Sequence, residues 1–175
     1  MTSLAETGDG QGRLRQIVLG TPGSIAGTVY GTIVVMGAIT AGAGATHGAW
    51  RLAAIVDATV LVLWVAHVYA HGLGESIERG RRLDRAELLS IARRELAIPL
   101  AAVAPTGALI LGGLNVVGES TALWLAMGIG LATLAVQGTR YAALEGLSGL
   151  ATATSVGLNI GLGLIIVALK AFVAH

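Results

Sequence analysis

Long apolar stretches alternate with arginine-bearing gaps along this 175-residue chain, and few soluble folds tolerate such an alternation. When the gaps are assigned alternately to two sides, nine of the eleven Lys and Arg residues fall on one side: Arg13, Arg15, Arg79, Arg81, Arg82, Arg85, Arg93, Arg94 and Arg140. Arg51 and Lys170 fall on the other side. Positive residues collect on the cytoplasmic side of polytopic membrane proteins. The pattern therefore predicts a multi-pass helical protein of the cell membrane.

Composition agrees with a membrane protein. The chain is 54% hydrophobic and 12% charged, whereas an ordinary soluble domain is about 25% charged. The net charge of +1 gives no argument for a nucleic-acid partner. The absence of cysteine excludes disulfides and thiolate chemistry.

Five apolar segments are long enough to cross a bilayer, which takes about 20 residues per helix. They cover residues 24–45, 50–72, 97–117, 121–137 and 148–172. With the arginine-rich gaps inside, the N-terminus is cytoplasmic and the C-terminus is outside. We predict an all-α, single transmembrane domain over residues 24–175, preceded by a disordered cytoplasmic tail over 1–23. A cleaved signal peptide ending near Ala43 is the competing interpretation of the first span, although the run is long for one.

Residues 73–96 form the one sizeable polar segment after the tail, and we predict that they are an amphipathic loop on the cytoplasmic side. Asp84 and Glu87 have the spacing of a capping box, which predicts a short helix running to about Leu96. The basic residues of this segment either bind anionic lipid or merely fix the orientation of the chain. Those residues are Arg79, Arg81, Arg82 and Arg85.

Glycines recur every four residues in two spans, at Gly27 and Gly31 and again at Gly157 and Gly161. Such spacing lets helix backbones approach closely in a membrane. The sequence leaves open whether these contacts lie within one chain or between copies in a homo-oligomer, and we favour contacts within the chain.

Asp57 is an ionisable residue inside the second span, about 10 Å from the outer end at 1.5 Å per residue. A charge at that depth is costly, so it normally faces a partner or a cavity. Three interpretations remain: a structural pair with Lys170, a cation or proton site, or a side chain that snorkels to the surface.

His67 and His71 lie one turn apart in the cytoplasmic half of the same span, and Glu75 continues their row. Together with Asp57, and with Tyr30 from the first span, they predict a polar stripe that lines a pathway for ions or protons. Histidine titrates near neutral pH, which suits a proton-linked role. The alternative is that the histidines only hold the helices together through hydrogen bonds.

A histidine pair at this spacing supplies two metal ligands, but a metal site needs a third from another segment. Tyr30, Gln137 and Glu145 are weak candidates for it. A bis-histidine haem needs ligands on two facing helices, and only one span offers a pair. The sequence therefore predicts no metal site and no cofactor.

The runs at 28–33 and 64–71, followed by the arginine-rich segment, resemble a widespread group of small bacterial integral membrane proteins of unknown function. The resemblance covers most of the chain from Ser24 onward. It implies a multi-pass membrane fold and no assigned activity.

Motifs of soluble enzymes are missing, including the phosphate-binding loop, the nucleophile elbow and the dinucleotide fingerprint. We therefore predict a protein that is not an enzyme. The first functional hypothesis is a small ion- or proton-conducting protein that uses the Asp/His stripe. The second is a non-catalytic membrane subunit or scaffold that binds a partner protein, and an intramembrane enzyme or cofactor binder comes third.

Overall fold

The computed structural model of the chain describes residues 22–45 and 48–173, and these ranges contain six α-helices and no β-strand. In chain order the helices are α1 (Pro22–Ala45), α2 (Ala49–Glu78), α3 (Arg85–Arg94), α4 (Ala97–Gly113), α5 (Glu119–Leu144) and α6 (Leu150–Val173). The all-α prediction is confirmed. Residues 1–21 of the predicted disordered tail lie outside the described ranges, and α1 begins at Pro22.

Four helices, α1, α2, α5 and α6, are long and apolar enough to cross a membrane. α4 has 17 residues, so its axis is about 25 Å long at 1.5 Å per residue. It passes the same test only together with α3, to which a 47° bend joins it. The helices thus fit a membrane protein with four spans, or five when the bent pair is counted as one.

Two helices run further than the sequence predicted. α2 continues through Gly72 to Glu78, and α5 continues to Leu144 rather than ending near 137. Gly72 is buried, and a Cβ added there would lie 3.1 Å from Leu88 Cδ1 of α3. The glycine therefore leaves room for α3 against α2, and the predicted amphipathic loop starts with the last turns of α2.

α3 begins with the capping box that the sequence predicted. The backbone N–H of Glu87 donates to Asp84 Oδ1 over 2.8 Å, and that of Asp84 donates to Glu87 Oε2 over 2.9 Å. Ile91 is the buried residue of α3, while Leu88 and Leu89 remain exposed. Such exposed leucines suit a helix lying on the membrane surface.

Apolar side chains of α1, α2, α4 and α5 fill the centre of the bundle. The fully buried ones include Met36, Ile39, Val56, Val60, Leu109 and Leu134. α1 and α4 approach closely at Gly31, where an added Cβ would lie 2.5 Å from the carbonyl oxygen of Ile98. The predicted close packing is therefore confirmed at this glycine.

α6 packs on α5 through other glycines than those predicted. A Cβ on Gly138 of α5 would lie 2.9 Å from Val156 Cα, and one on Gly163 of α6 would lie 2.6 Å from Leu131 Cδ2. Gly157 and Gly161 would meet no atom within 4 Å. Packing of these two glycines within the chain, which we favoured, is therefore wrong because they lie on the uncovered face of α6.

Candidate functional site

Three rings come together where α1 meets α2. The rings of His67 and His71 have centroids 4.4 Å apart, as expected for residues one turn apart on α2. Tyr30 of α1 stacks on His67 with a centroid distance of 5.6 Å and an interplanar angle of 29°. The stacking fixes one face of the His67 ring, while His71 is more exposed.

Glu95 completes this group from a different part of the chain. His71 Nδ1 lies 3.0 Å from Glu95 Oε1, and His67 Nε2 lies 3.5 Å from Glu95 Oε2. Glu95 ends α3 at the bend into α4, and its side chain is 17% exposed. The bend thus directs one carboxylate towards both histidines. We call Tyr30, His67, His71 and Glu95 the histidine cluster.

Glu95 was not among the predicted site residues, because it falls near the end of the polar segment 73–96. A signal was present, since Glu95 is the last charged residue before the apolar run of α4. That position places it beside the half of α2 that carries the two histidines. Its partners depend on how α3 folds back, which periodicity does not specify.

An open cavity of about 500 Å³ borders the cluster. Its walls include His71 and Glu95 together with Glu75, Glu78 and Arg94. We call the end of the bundle that carries Arg79, Arg81, Arg82, Arg85 and Arg94 the arginine-rich end. The cavity is open to the outside of the bundle at His71 and Glu95, and Gly23 and Ser24 of α1 complete its lining.

Glu75 lines the same cavity as His71 and is held in an ion-pair network. Arg79 donates to Glu75 Oε2 over 2.9 Å, and Arg94 donates to Glu75 Oε1. These contacts connect the end of α2 to α3. Glu75 thus fixes the position of the helix that carries Glu95, and its charge is compensated.

Asp57 is bonded to α4. Thr106 Oγ1 donates a hydrogen bond of 2.8 Å to Asp57 Oδ1, and Thr106 is buried. Lys170 belongs to α6, but its side chain lies outside the described part of the structure, so the Asp57–Lys170 pair stays a prediction. Thr106 is a second residue that the sequence analysis missed.

The predicted polar stripe is interrupted between Asp57 and His67. Ten residues separate them, which is about 15 Å along the helix axis. Val60, 1% exposed, and Trp64 occupy this interval and belong to the apolar core. An indole N–H donates but does not accept, so Trp64 cannot relay a proton. In this conformation the structure therefore separates Asp57 from the histidine cluster.

The arginines of the predicted lipid-facing loop differ in their surroundings. Arg79 and Arg81 pair with Glu87, at 2.6 Å each, whereas Arg82 and Arg85 are exposed with no carboxylate partner among the described residues. The hydrogen bonds from Arg81, with one from the Asp84 backbone, lower the pKa of Glu87 to about 2. The pairing partly neutralises the loop, and binding of Arg82 and Arg85 to anionic lipid stays a prediction.

No protein-family model matches this chain, and no curated protein or solved structure is detectably similar to it. The resemblance to small bacterial membrane proteins stays a prediction. The function has to be argued from the site.

Proposed function

We propose that the chain is a small, multi-pass, non-enzymatic protein of the cell membrane that conducts cations and receives them at the histidine cluster. The observation that carries the proposal is the position of Glu95, whose carboxylate meets both His67 and His71 beside an open cavity. Neutral imidazoles and a carboxylate all offer lone pairs to a cation. The arginine-rich end faces the cytoplasm in this proposal, following the positive-inside rule.

Passage across the bundle requires a change in the core. Val60 and Trp64 fill the interval between the cluster and Asp57, so in this proposal they form the closed gate of the pathway. Asp57, fixed by Thr106, is the polar group on the far side of the gate. A second copy of the chain, packed in a homo-oligomer, is the alternative way to complete the path.

The test is a flux assay on purified protein in liposomes with imposed proton and potassium gradients. Glu95→Gln keeps the size of the side chain and removes its charge, and we expect it to lower flux at least about tenfold, the effect of 1.4 kcal/mol on a barrier. Glu145→Gln is the matched control, because Glu145 is an exposed carboxylate at the end of α5. Equal flux through both variants, or no flux from folded wild-type protein, would contradict cation conduction.

A non-catalytic subunit that binds a membrane partner is the second candidate, and one observation favours it. Only 6% of the apolar stretch Leu150–Ala168 of α6 is buried, against 44% of the stretch Gly23–Ala43 of α1. The open glycines Gly157 and Gly161 lie on α6. Lipid or a helix of another protein covers this face. Loss of assembly without any intrinsic flux would favour this second function.

A further inference from the structure

The histidine cluster contains a donor set that is specific to one class of cation. Ligand atoms from His67, His71 and Glu95 lie within 4.8 Å of one another. We propose that these three side chains bind a divalent transition-metal ion of the zinc type. The inference rests on the proposed function, since it names the class of cation that the cluster receives.

The distances fit such an ion. Bonds of about 2.0–2.2 Å in a tetrahedral site place neighbouring ligand atoms about 3.3–3.5 Å apart. The two histidine–carboxylate separations are 3.0 and 3.5 Å and run to different oxygens of Glu95. One ligand atom from each of the three side chains lies within 4.8 Å of the other two, so modest side-chain rotations bring the set to this spacing. The side chain of His71 is half-exposed, so solvent reaches this ligand.

The types of the ligands select the metal. Two imidazoles and one carboxylate suit zinc and its neighbours, whereas magnesium and calcium prefer oxygen ligands throughout. Three protein ligands leave the fourth tetrahedral position to water or to an exchanging group. The open cavity beside His71 and Glu95 gives that position access to solvent.

The surroundings of the site favour a cation despite the nearby arginines. Arg94 lines the same cavity but is bound to Glu75, which compensates its charge. Glu78 adds a further carboxylate to the wall. On the other side, Tyr30 stacks on His67 and restricts the orientation of that ring. A metal ion therefore finds one imidazole held by stacking, and the arginine that lines the cavity is already paired with Glu75.

The test is a titration of the purified full chain in detergent with Co²⁺ alone, followed by its visible absorption spectrum, and then with Zn²⁺ as competitor. The chain has no cysteine, so thiolates cannot contribute. His47 and His175, which lie outside the described residues, are replaced by alanine in every sample to remove their background. We expect one equivalent of Co²⁺ to bind with a tetrahedral spectrum that Zn²⁺ abolishes.

Substitutions of the three ligand residues test whether they form the metal site. We expect His71→Ala, His67→Ala and Glu95→Gln each to weaken Co²⁺ binding at least about tenfold, the effect seen even for partners outside the ligand shell. Glu145→Gln should bind like the parent. His71→Ala alters a half-exposed side chain and keeps the fold testable if His67→Ala fails to accumulate. Binding that is absent, or unchanged in His71→Ala and Glu95→Gln, would overturn the site.

The Co²⁺ titration tests the metal site and the flux assay tests conduction, so either proposal can be contradicted without the other. Metal binding without flux of protons, of potassium or of Zn²⁺ under an imposed Zn²⁺ gradient leaves the site intact and refutes conduction. Potassium or proton flux that needs Glu95, from a chain that binds no Co²⁺, refutes the metal site and leaves conduction standing.

Discussion

Individual side chains that bond across helices set the geometry of the site. Thr106 connects α4 to Asp57 of α2, and Glu95 connects the α3–α4 bend to the two histidines of the same helix. Such bonds between membrane helices contribute about 0.6 kcal/mol on average and up to about 1.7 kcal/mol. The Thr106–Asp57 bond belongs at the upper end, because its acceptor is a carboxylate and its donor is buried. It ties α2 to α4 at a point ten residues before His67.

Replacing Thr106 by valine removes this bond and keeps the shape of the side chain. We expect Thr106→Val to destabilise the protein by about 1–2 kcal/mol, since Asp57 loses its donor in an apolar surrounding. Thr133→Val is the matched control, because Thr133 Oγ1 donates only to Ile129 of its own helix. Reversible unfolding in mixed detergent micelles measures both variants. Equal stability of the two would show that the bond to Asp57 does not tie α4 to α2.

At the scale of helices, the close approach of α1 to α4 is the contact least tolerant of change. A Cβ on Gly31 would lie 2.5 Å from the carbonyl oxygen of Ile98, a backbone atom that cannot rotate away. Gly157 of α6 has no atom within 4 Å of the same position. These two glycines therefore offer the same chemical substitution in opposite surroundings.

We expect Gly31→Ala to cost about 1–3 kcal/mol of stability through overpacking, and Gly157→Ala to be neutral or stabilising because alanine is the better helix former. The intrinsic gain in helix propensity is common to both variants, so their difference isolates the clash. Unfolding in mixed micelles gives the two values. A destabilised Gly157→Ala variant would instead indicate that α6 packs against another copy or a partner at this point.

The helices could be predicted from the sequence because apolar length and the Asp84–Glu87 capping box are local signals. The histidine pair was found for the same reason, since its spacing along one helix decides the contact. The contacts of Glu95 and Thr106 could not be predicted, because they depend on the bend between α3 and α4 and on the rotation of each helix about its axis. The interruption of the predicted stripe at Val60 was not predicted, because helical periodicity along α2 does not specify which side chains of neighbouring helices pack against it.

At the scale of the whole molecule, the arginine-rich end gives the bundle its polarity, and α4 decides the number of crossings. Arg79 and Arg94 at this end bind Glu75, which lines the same cavity as His71 of the histidine cluster. If α4 crosses, the α4–α5 connection emerges on the opposite face of the membrane. If the bent pair α3–α4 enters and returns instead, both of its ends lie on the same face. Glu95, just before α4, meets His71, and Gly113 at the end of α4 meets Trp50 at the start of α2, so α4 runs alongside α2, which favours the first arrangement.

Single cysteines settle this point because the chain has none of its own. Ser90 of α3 and Ser120 of α5 are both exposed, and they flank α4 on either side in the sequence. We expect a membrane-impermeant thiol reagent to label Ser120→Cys in intact expressing cells, and Ser90→Cys only after the membrane is opened, because arginine-rich segments stay inside. Labelling of both in opened membranes is the control for accessibility. If both cysteines react from the same side, α4 does not cross and the four-span arrangement holds.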